Sequence, residues 1–267
     1  MNILITGASN GIGEATLIEF LNHSHFCIAL DIAKNENINK NLVSFVCDTR
    51  KKETLIEVEN YLTQNSIKLD LIINIAGIHR MVSLVETDFE VIKKVIDVNL
   101  LGTMLVNNTF HKFLKEKGKI INLTSEVATY TPMPFNGIYN ISKSALEVYS
   151  DSLRQELNIL NQKVITIRPG SIETKLSRGS LEDTKELASS TTLFKKESST
   201  FYTLVKKFFG KPLKREKLAK KIYKISLNNH PKLSYAIHRT PGLILLNLLP
   251  KRMQLWIIKF LLNLKNL

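Results

Sequence analysis

The sequence predicts an α/β protein built on a parallel sheet, and three observations predict it. Over the first 170 residues, short runs rich in Ile and Val alternate with longer stretches of helical period. A glycine-rich turn follows directly on the first apolar run, and no Pro/Gly linker divides the chain in two. The 267 residues are 44% hydrophobic and 23% charged, which suits one sizeable core and excludes a disordered tail, a collagen-like fibre or a disulfide-stapled miniprotein.

The elements read off in order. Strands are predicted at 2–6, 26–31, 42–47, 70–74, 119–124, 164–168 and 233–237, each apolar enough for burial on both faces. Helical segments fall near 11–22, 51–65, 88–97, 99–116, 138–161 and 213–227. After Pro169-Gly170 the alternation stops. Residues 174–210 carry Ser, Thr, Lys and Glu clusters and an aromatic patch, FYTLVKKFF, and read as a long insertion on the ligand side of the sheet. In 213–226 the spacing puts Leu218, Ile222 and Ile225 on one face, with Lys214, Lys217, Lys220, Lys221 and Lys224 as a solvated face. Cys27 and Cys47 each lie in an apolar run and read as buried thiols in a reducing compartment. The start lacks a basic and apolar leader, so a cytoplasmic location is expected.

The first strand runs into Thr6-Gly7-Ala8-Ser9-Asn10-Gly11-Ile12-Gly13 and then a helix. Glycines bring backbone N–H groups close to an anion, and the helix start offers its partial positive end to a pyrophosphate. The competing reading is a glycine turn with no ligand. Asp31 ends the second strand, where the dinucleotide-binding geometry places a carboxylate against the adenosine ribose. Such a group accepts from the ribose hydroxyls and repels a 2′-phosphate, so NAD is favoured, with NADP as the second choice. No Arg or Lys stands at Ser9, Asn10 or Ile32 to reverse this. A plain strand-end turn residue is the other reading of Asp31.

Tyr139 and Lys143 stand four apart in a segment of helical period, so their Cβ atoms lie roughly 5–6 Å apart on one face. A cation at about 4 Å and an effective dielectric of about 20 is worth about 4 kcal/mol, which would bring a phenol from about 10 down towards neutrality. There it would serve as a general acid/base.

The sequence resembles the short-chain dehydrogenase/reductase family over residues 2–176, through the turn Thr6 to Gly13, NIAG at 74–77, DVNLLGT at 97–103, INLTS at 121–125, the Tyr139/Lys143 pair and RPGSIET at 168–174. The resemblance implies a Rossmann-type, doubly wound sheet of order 3-2-1-4-5-6-7 with helices on both faces. It implies hydride transfer between a nicotinamide and an alcohol or carbonyl. Tyr139 would exchange the proton with the substrate oxygen, Lys143 would support it and reach the nicotinamide ribose, and Ser125 would bond the substrate oxygen. Asn99 would hold a water that relays protons from Lys143. Gly7, Ser9, Asn10, Gly11, Ile12 and Gly13 would face the pyrophosphate, Asp31 the ribose and Asp48 the adenine amine. Asn74, Ala76 and Gly77 would line the cofactor, and Pro169, Gly170, Ile172 and Thr174 would hold the carboxamide. Ile75 stands where many members carry a second Asn. Ser125 and Tyr139 are 14 apart, one more than the commonest spacing, which leaves Thr124 as the fallback. The histidines show no ligand spacing, so no metal is expected; His79 reads equally as a substrate contact or a surface-loop residue.

The expected organisation is one dehydrogenase domain over 1–240, including the substrate loop 174–210, and a basic amphipathic extension over 241–267. Residues 201–267 hold 15 of the 37 Lys and Arg but only one acid, Glu216. In the tail Arg252, Lys259, Asn263 and Asn266 form a polar stripe, and Met253, Trp256, Ile257, Phe260, Leu261 and Leu264 form a wide apolar arc. A membrane-surface helix, a lid and a subunit contact in a homodimer or homotetramer stand equally here; nucleic acid is not expected, for want of a recognition motif. The function expected is an NAD(P)-dependent oxidoreductase of a small hydrophobic alcohol, aldehyde or ketone, against the alternative of a non-enzymatic dinucleotide-binding sensor or scaffold.

Overall fold

The computed structural model describes residues 1–208 and 211–263. The strand-then-helix rhythm runs through β1 (Asn2–Thr6), α1 (Gly11–Asn22), β2 (Phe26–Asp31), β3 (Leu42–Val46), α2 (Lys52–Gln64), β4 (Leu69–Asn74), α3 (Phe89–Ile96), α4 (Gly102–Phe110), β5 (Leu114–Leu123), α5 (Gly137–Ile159) and β6 (Lys163–Pro169). Then come β7 (Ile172–Glu173), α6 (Lys175–Ser190), α7 (Lys195–Phe208), β8 (Leu213–Lys214), α8 (Arg215–Leu227), β9 (Ser234–Ile237), α9 (Pro241–Asn247) and α10 (Lys251–Asn263). Phe209 of the aromatic patch, and Leu264 and Asn266 of the tail, lie outside the described residues.

Seven strands pair in the order β3-β2-β1-β4-β5-β6-β9, every pair parallel. This is the implied Rossmann order, with β9 as the seventh major strand because the two-residue β7 and β8 pair separately. Side-chain alternation explains the two helical layers. Ile3 and Ile5 point to the face covered by Leu17 and Phe20 of α1 and Leu218 and Ile222 of α8. Leu4, Ile28 and Ile72 point to the opposite face, against Leu55, Val58 and Leu62 of α2 and Val106 and Phe110 of α4. The lysine-rich side of α8 is exposed as its spacing predicts, and both cysteines are buried and unpaired.

Two segments depart from the sequence reading. The helix expected over 99–116 is three pieces: a π-turn over Asp97–Leu101, then α4, then a 3₁₀ turn at His111–Phe113. β5 begins early because Leu114 pairs with Leu69 ahead of a register shift, and the intervening Lys117 turns with φ of +62°. Of the segment 174–210, residues 175–190 and 195–208 are not loop but two helices. Thr174 starts α6 with a capping box, its Oγ1 accepting the Ser177 N–H at 3.2 Å while Ser177 Oγ accepts the Thr174 N–H at 3.1 Å. Widely spaced Leu187, Phe201 and Val205 then join Met81, Phe135, Ile258 and Leu262 in a third apolar cluster, away from the sheet's two cores.

Candidate active site

The carboxyl ends of β1 and β4 are tied together before any ligand is considered. Thr6, last in β1, accepts the backbone N–H groups of Ile75 and Ala76 on Oγ1 at 3.1 and 3.2 Å. Gly7 follows with φ of +71°, and a Cβ there would lie 2.8 Å from the Ala76 nitrogen. A Cβ on Gly13 would lie 1.9 Å from the Gly7 carbonyl oxygen, so only glycine lets α1 start this close to the strand. Asn10 is extended at the helix start and its side chain makes no cap bond, so it leaves the first-turn N–H groups to an outside acceptor.

Asp31 faces the same turn. Its Oδ2 accepts the Ser9 N–H at 2.9 Å and its Oδ1 the Ala33 N–H at 3.0 Å, which fixes the carboxylate and leaves each oxygen a further lone pair. Asp48 sits after β3 in a bidentate pair with Arg50, at 2.6 Å between Nη2 and Oδ2 and 2.9 Å between Nε and Oδ1. The Arg50 hydrogen bonds hold its carboxyl below the usual carboxylate range. The sequence reading gives Arg50 no part; the DTR spacing is the signal for it. Asn74 differs from the expectation that it lines the cofactor. Its side chain is 3% exposed and donates at 2.8 Å to Asn107 Oδ1 and at 2.8 Å to Asn122 Oδ1. Register explains this, because Asn74 pairs with Asn122 across β4 and β5 and their amides stand in one row. The asparagine therefore locks the two strands from behind, while Gly77 faces the cavity.

Tyr139 and Lys143, one turn apart on α5, open into a cavity of about 420 Å³ with Ser125. Ile12 of the glycine turn, Gly77, Pro169, Gly170, Ile172 and Thr174 line the same space. Burial raises the Tyr139 phenol's pKa, and its hydrogen bond with Ser125 offsets only part of that rise. Thr124, the fallback, is engaged elsewhere: its hydroxyl donates to Glu147 Oε1, and Arg168 pairs the same carboxylate at both oxygens, at 2.9 and 2.8 Å. The loop between Ser125 and Tyr139 turns at Phe135, whose φ is +63°.

The electrostatics correct the sequence argument. Lys143 Nζ donates to the Leu123 carbonyl at 2.9 Å and lies 5.9 Å from the centre of the Tyr139 ring, and its charge is not among the influences that set the phenol's pKa. Burial therefore dominates, pushing the phenol up to about 12 and the lysine down to about 8. Lys143 is consequently close to its titration point near neutral pH, and Tyr139 is held as a proton-bearing donor. Asn99, fully buried on the π-turn, clamps Ile78 by accepting its N–H at 2.8 Å and donating to its carbonyl at 2.9 Å, and it donates to Ser142 Oγ at 3.0 Å. A Cβ on Gly77 would come within 3.2 Å of Asn99 Oδ1 and 3.5 Å of Lys143 Nζ, so the glycine lets the backbone pack close beside both side chains. π-turns recur where a helix must re-aim a functional side chain.

His79 is the residue whose place the sequence leaves open between substrate and surface. Its ring packs edge-on against Tyr139 with centroids 4.3 Å apart. Nε2 donates to Asn136 Oδ1 at 2.9 Å, which leaves Nδ1 to accept the Ser180 hydroxyl at 2.7 Å. Burial pushes the imidazole down to about 4, so it is neutral at pH 7 and ties α6 to the tyrosine.

The residues present fit a nicotinamide dinucleotide. A glycine cradle that a Cβ would fill, uncapped helix N–H groups and a fixed carboxylate after β2 lead into a cavity that ends on a phenol, a hydroxyl and an ammonium. Among the described residues no group of three His, Cys, Asp or Glu could hold a metal ion.

A family model described as short chain dehydrogenase matches residues 1–185. The chain is 33% identical to the NADPH-dependent 1-acyldihydroxyacetone phosphate reductase of Schizosaccharomyces pombe over 70% of its own length and 64% of that protein's. It is 32% identical to the probable short-chain type dehydrogenase/reductase VdlC of Helicobacter pylori over 91% of this chain and 90% of that one. The solved structure of 4-hydroxyisoleucine dehydrogenase complexed with NADH superposes with a TM-score of 0.69 at 25% identity, covering 89% of this chain and 96% of that chain.

Proposed function

The chain belongs to the short-chain dehydrogenase/reductase family and is an NAD(P)-dependent oxidoreductase; from that premise we propose that it interconverts a small hydrophobic alcohol and its carbonyl compound, with NAD preferred and Tyr139 as the general acid/base. One observation carries the reading: Ser125 from the turn after β5, and Tyr139 and Lys143 from α5, share one cavity with the glycine turn and with Thr174.

When bound, the nicotinamide supplies or accepts the hydride. Ser125 holds the substrate oxygen beside the phenol, and in reduction Tyr139 gives that oxygen its proton. Lys143, lowered to about 8 by burial, is able to exchange a proton near neutral pH on the side of the cavity from which the tyrosine's proton is restored. Reduction consumes that proton, so one must be returned to the Lys143 side of the cavity, where Asn99 and Lys143 both lie beside Gly77. Asp31 supports NAD, because a 2′-phosphate would meet a carboxylate already oriented by Ser9 and Ala33. Met81, Val127, Leu181 and Val205 supply apolar walls on the substrate side, closed by His79.

The direct test incubates the chain with NAD and a panel of apolar alcohols while following absorbance of the reduced nicotinamide. Turnover of apolar members above polar ones of equal size is expected. Tight dinucleotide binding without turnover of any alcohol or carbonyl would return the chain to a sensor role.

A further inference from the structure

We propose that the outward face of α10 docks on the surface of an anionic lipid bilayer. The inner face of this helix is already used: Gln254, Ile258 and Leu262 are buried, and the two apolar ones join the cluster of α6 and α7. At 100° per residue, Met253, Trp256 and Phe260 lie on the opposite side. They are 50%, 66% and 51% exposed, and the Trp256 and Phe260 rings stack in parallel with centroids 5.4 Å apart. Three large apolar side chains side by side in water are an unusual expense for a folded surface unless something covers them.

Charge identifies the occupant. Arg252 and Lys259 flank the aromatic pair on one side of the helix, and Lys251 stands at its start, all exposed. From residue 201 onward the single acid is Glu216, and it is bonded to Arg215 on α8. Glu197, at the rim of an apolar trough along Leu255 and Ile258, is the acid beside the inner edge of this helix. A second copy docking through the same face would set these cations against each other, whereas a layer of lipid phosphates complements them. The helix lies on the surface and does not cross it: 13 residues reach about 20 Å against a hydrocarbon core of about 30 Å. Among the described residues no helix is long and apolar enough to span.

Trp256 is the chain's one tryptophan, so its emission reports on this face alone. The full chain is titrated with vesicles of phosphatidylcholine and with an equimolar mixture of phosphatidylcholine and phosphatidylglycerol, and bound protein is separated by sedimentation. The expected result is a blue shift and co-sedimentation with the anionic vesicles, about a hundredfold tighter than with phosphatidylcholine and weakened by salt. Lys251→Gln/Arg252→Gln/Lys259→Gln should remove the preference for anionic lipid. Phe260→Ser should weaken binding to both vesicles, with the melting temperature of each variant unchanged because these side chains are exposed. Equal binding to both vesicle types, binding to neither, or a lipid-free blue shift that tracks dimer formation would overturn the proposal.

Discussion

Lys143 is buried in the cavity wall, and desolvation alone accounts for its lowered pKa. Its folded value of about 8 lies below the ordinary 10.5, so between those values the unfolded chain holds more protons than the folded one. Stability is therefore penalised in full below pH 8 and recovers as pH rises from 8 towards 10.5. Lys143→Met should remove that dependence: the difference in unfolding free energy between variant and parent should change by about 3 kcal/mol across the window. Parallel stability curves would show the ammonium to be solvated. Asp31 allows a second residue-scale test. Asp31→Ala should weaken NAD, since it also frees the Ser9 and Ala33 N–H groups, and should move the NAD-to-NADP efficiency ratio at least about tenfold towards NADP. An unmoved ratio would defeat the coenzyme argument. The sequence could place these residues because their spacing is local, four along a helix or one at a strand end. It could not set the charges, because how far Lys143 Nζ stands from the phenol depends on Leu123, twenty residues away.

The elements framing the cavity were unevenly legible. All seven major strands show in the sequence: the inner five because strands buried on both faces must be apolar throughout, and the edge strands β3 and β9 because they keep apolar runs although they are only partly buried. The helices α6 and α7 do not, because Leu187, Phe201 and Val205 are spread too thinly among Ser, Thr, Lys and Glu to show a period. The π-turn at Asp97–Leu101 was equally hidden, because a single i→i+5 turn inside a helical run leaves no period of its own in the sequence. His79 links these levels, since its bond to Ser180 ties α6 to the ring packed on Tyr139. His79→Ala should speed amide exchange in α6 and raise KM for substrate several-fold with little change in dinucleotide affinity. Unchanged exchange together with unchanged KM would show that α6 is held by the third apolar cluster alone.

At the scale of the whole molecule, one end of the sheet does two jobs with different stretches of chain. The turn after β1 and the carboxylate after β2 form a dinucleotide cradle, and β5 with α5 brings Ser125, Tyr139 and Lys143 to the cavity beyond it. The parallel order places β4 between them, with Thr6 bonded to the backbone after β4 and the Asn74–Asn122 amides bonded across to β5. Binding and chemistry should then be separable, which a single substitution tests most directly. Tyr139→Phe removes only the phenol oxygen, and we predict a loss of turnover of about 10²–10⁴-fold or more with dinucleotide affinity nearly unchanged. Retention of most of the rate, or a parallel collapse of cofactor binding, would contradict the account.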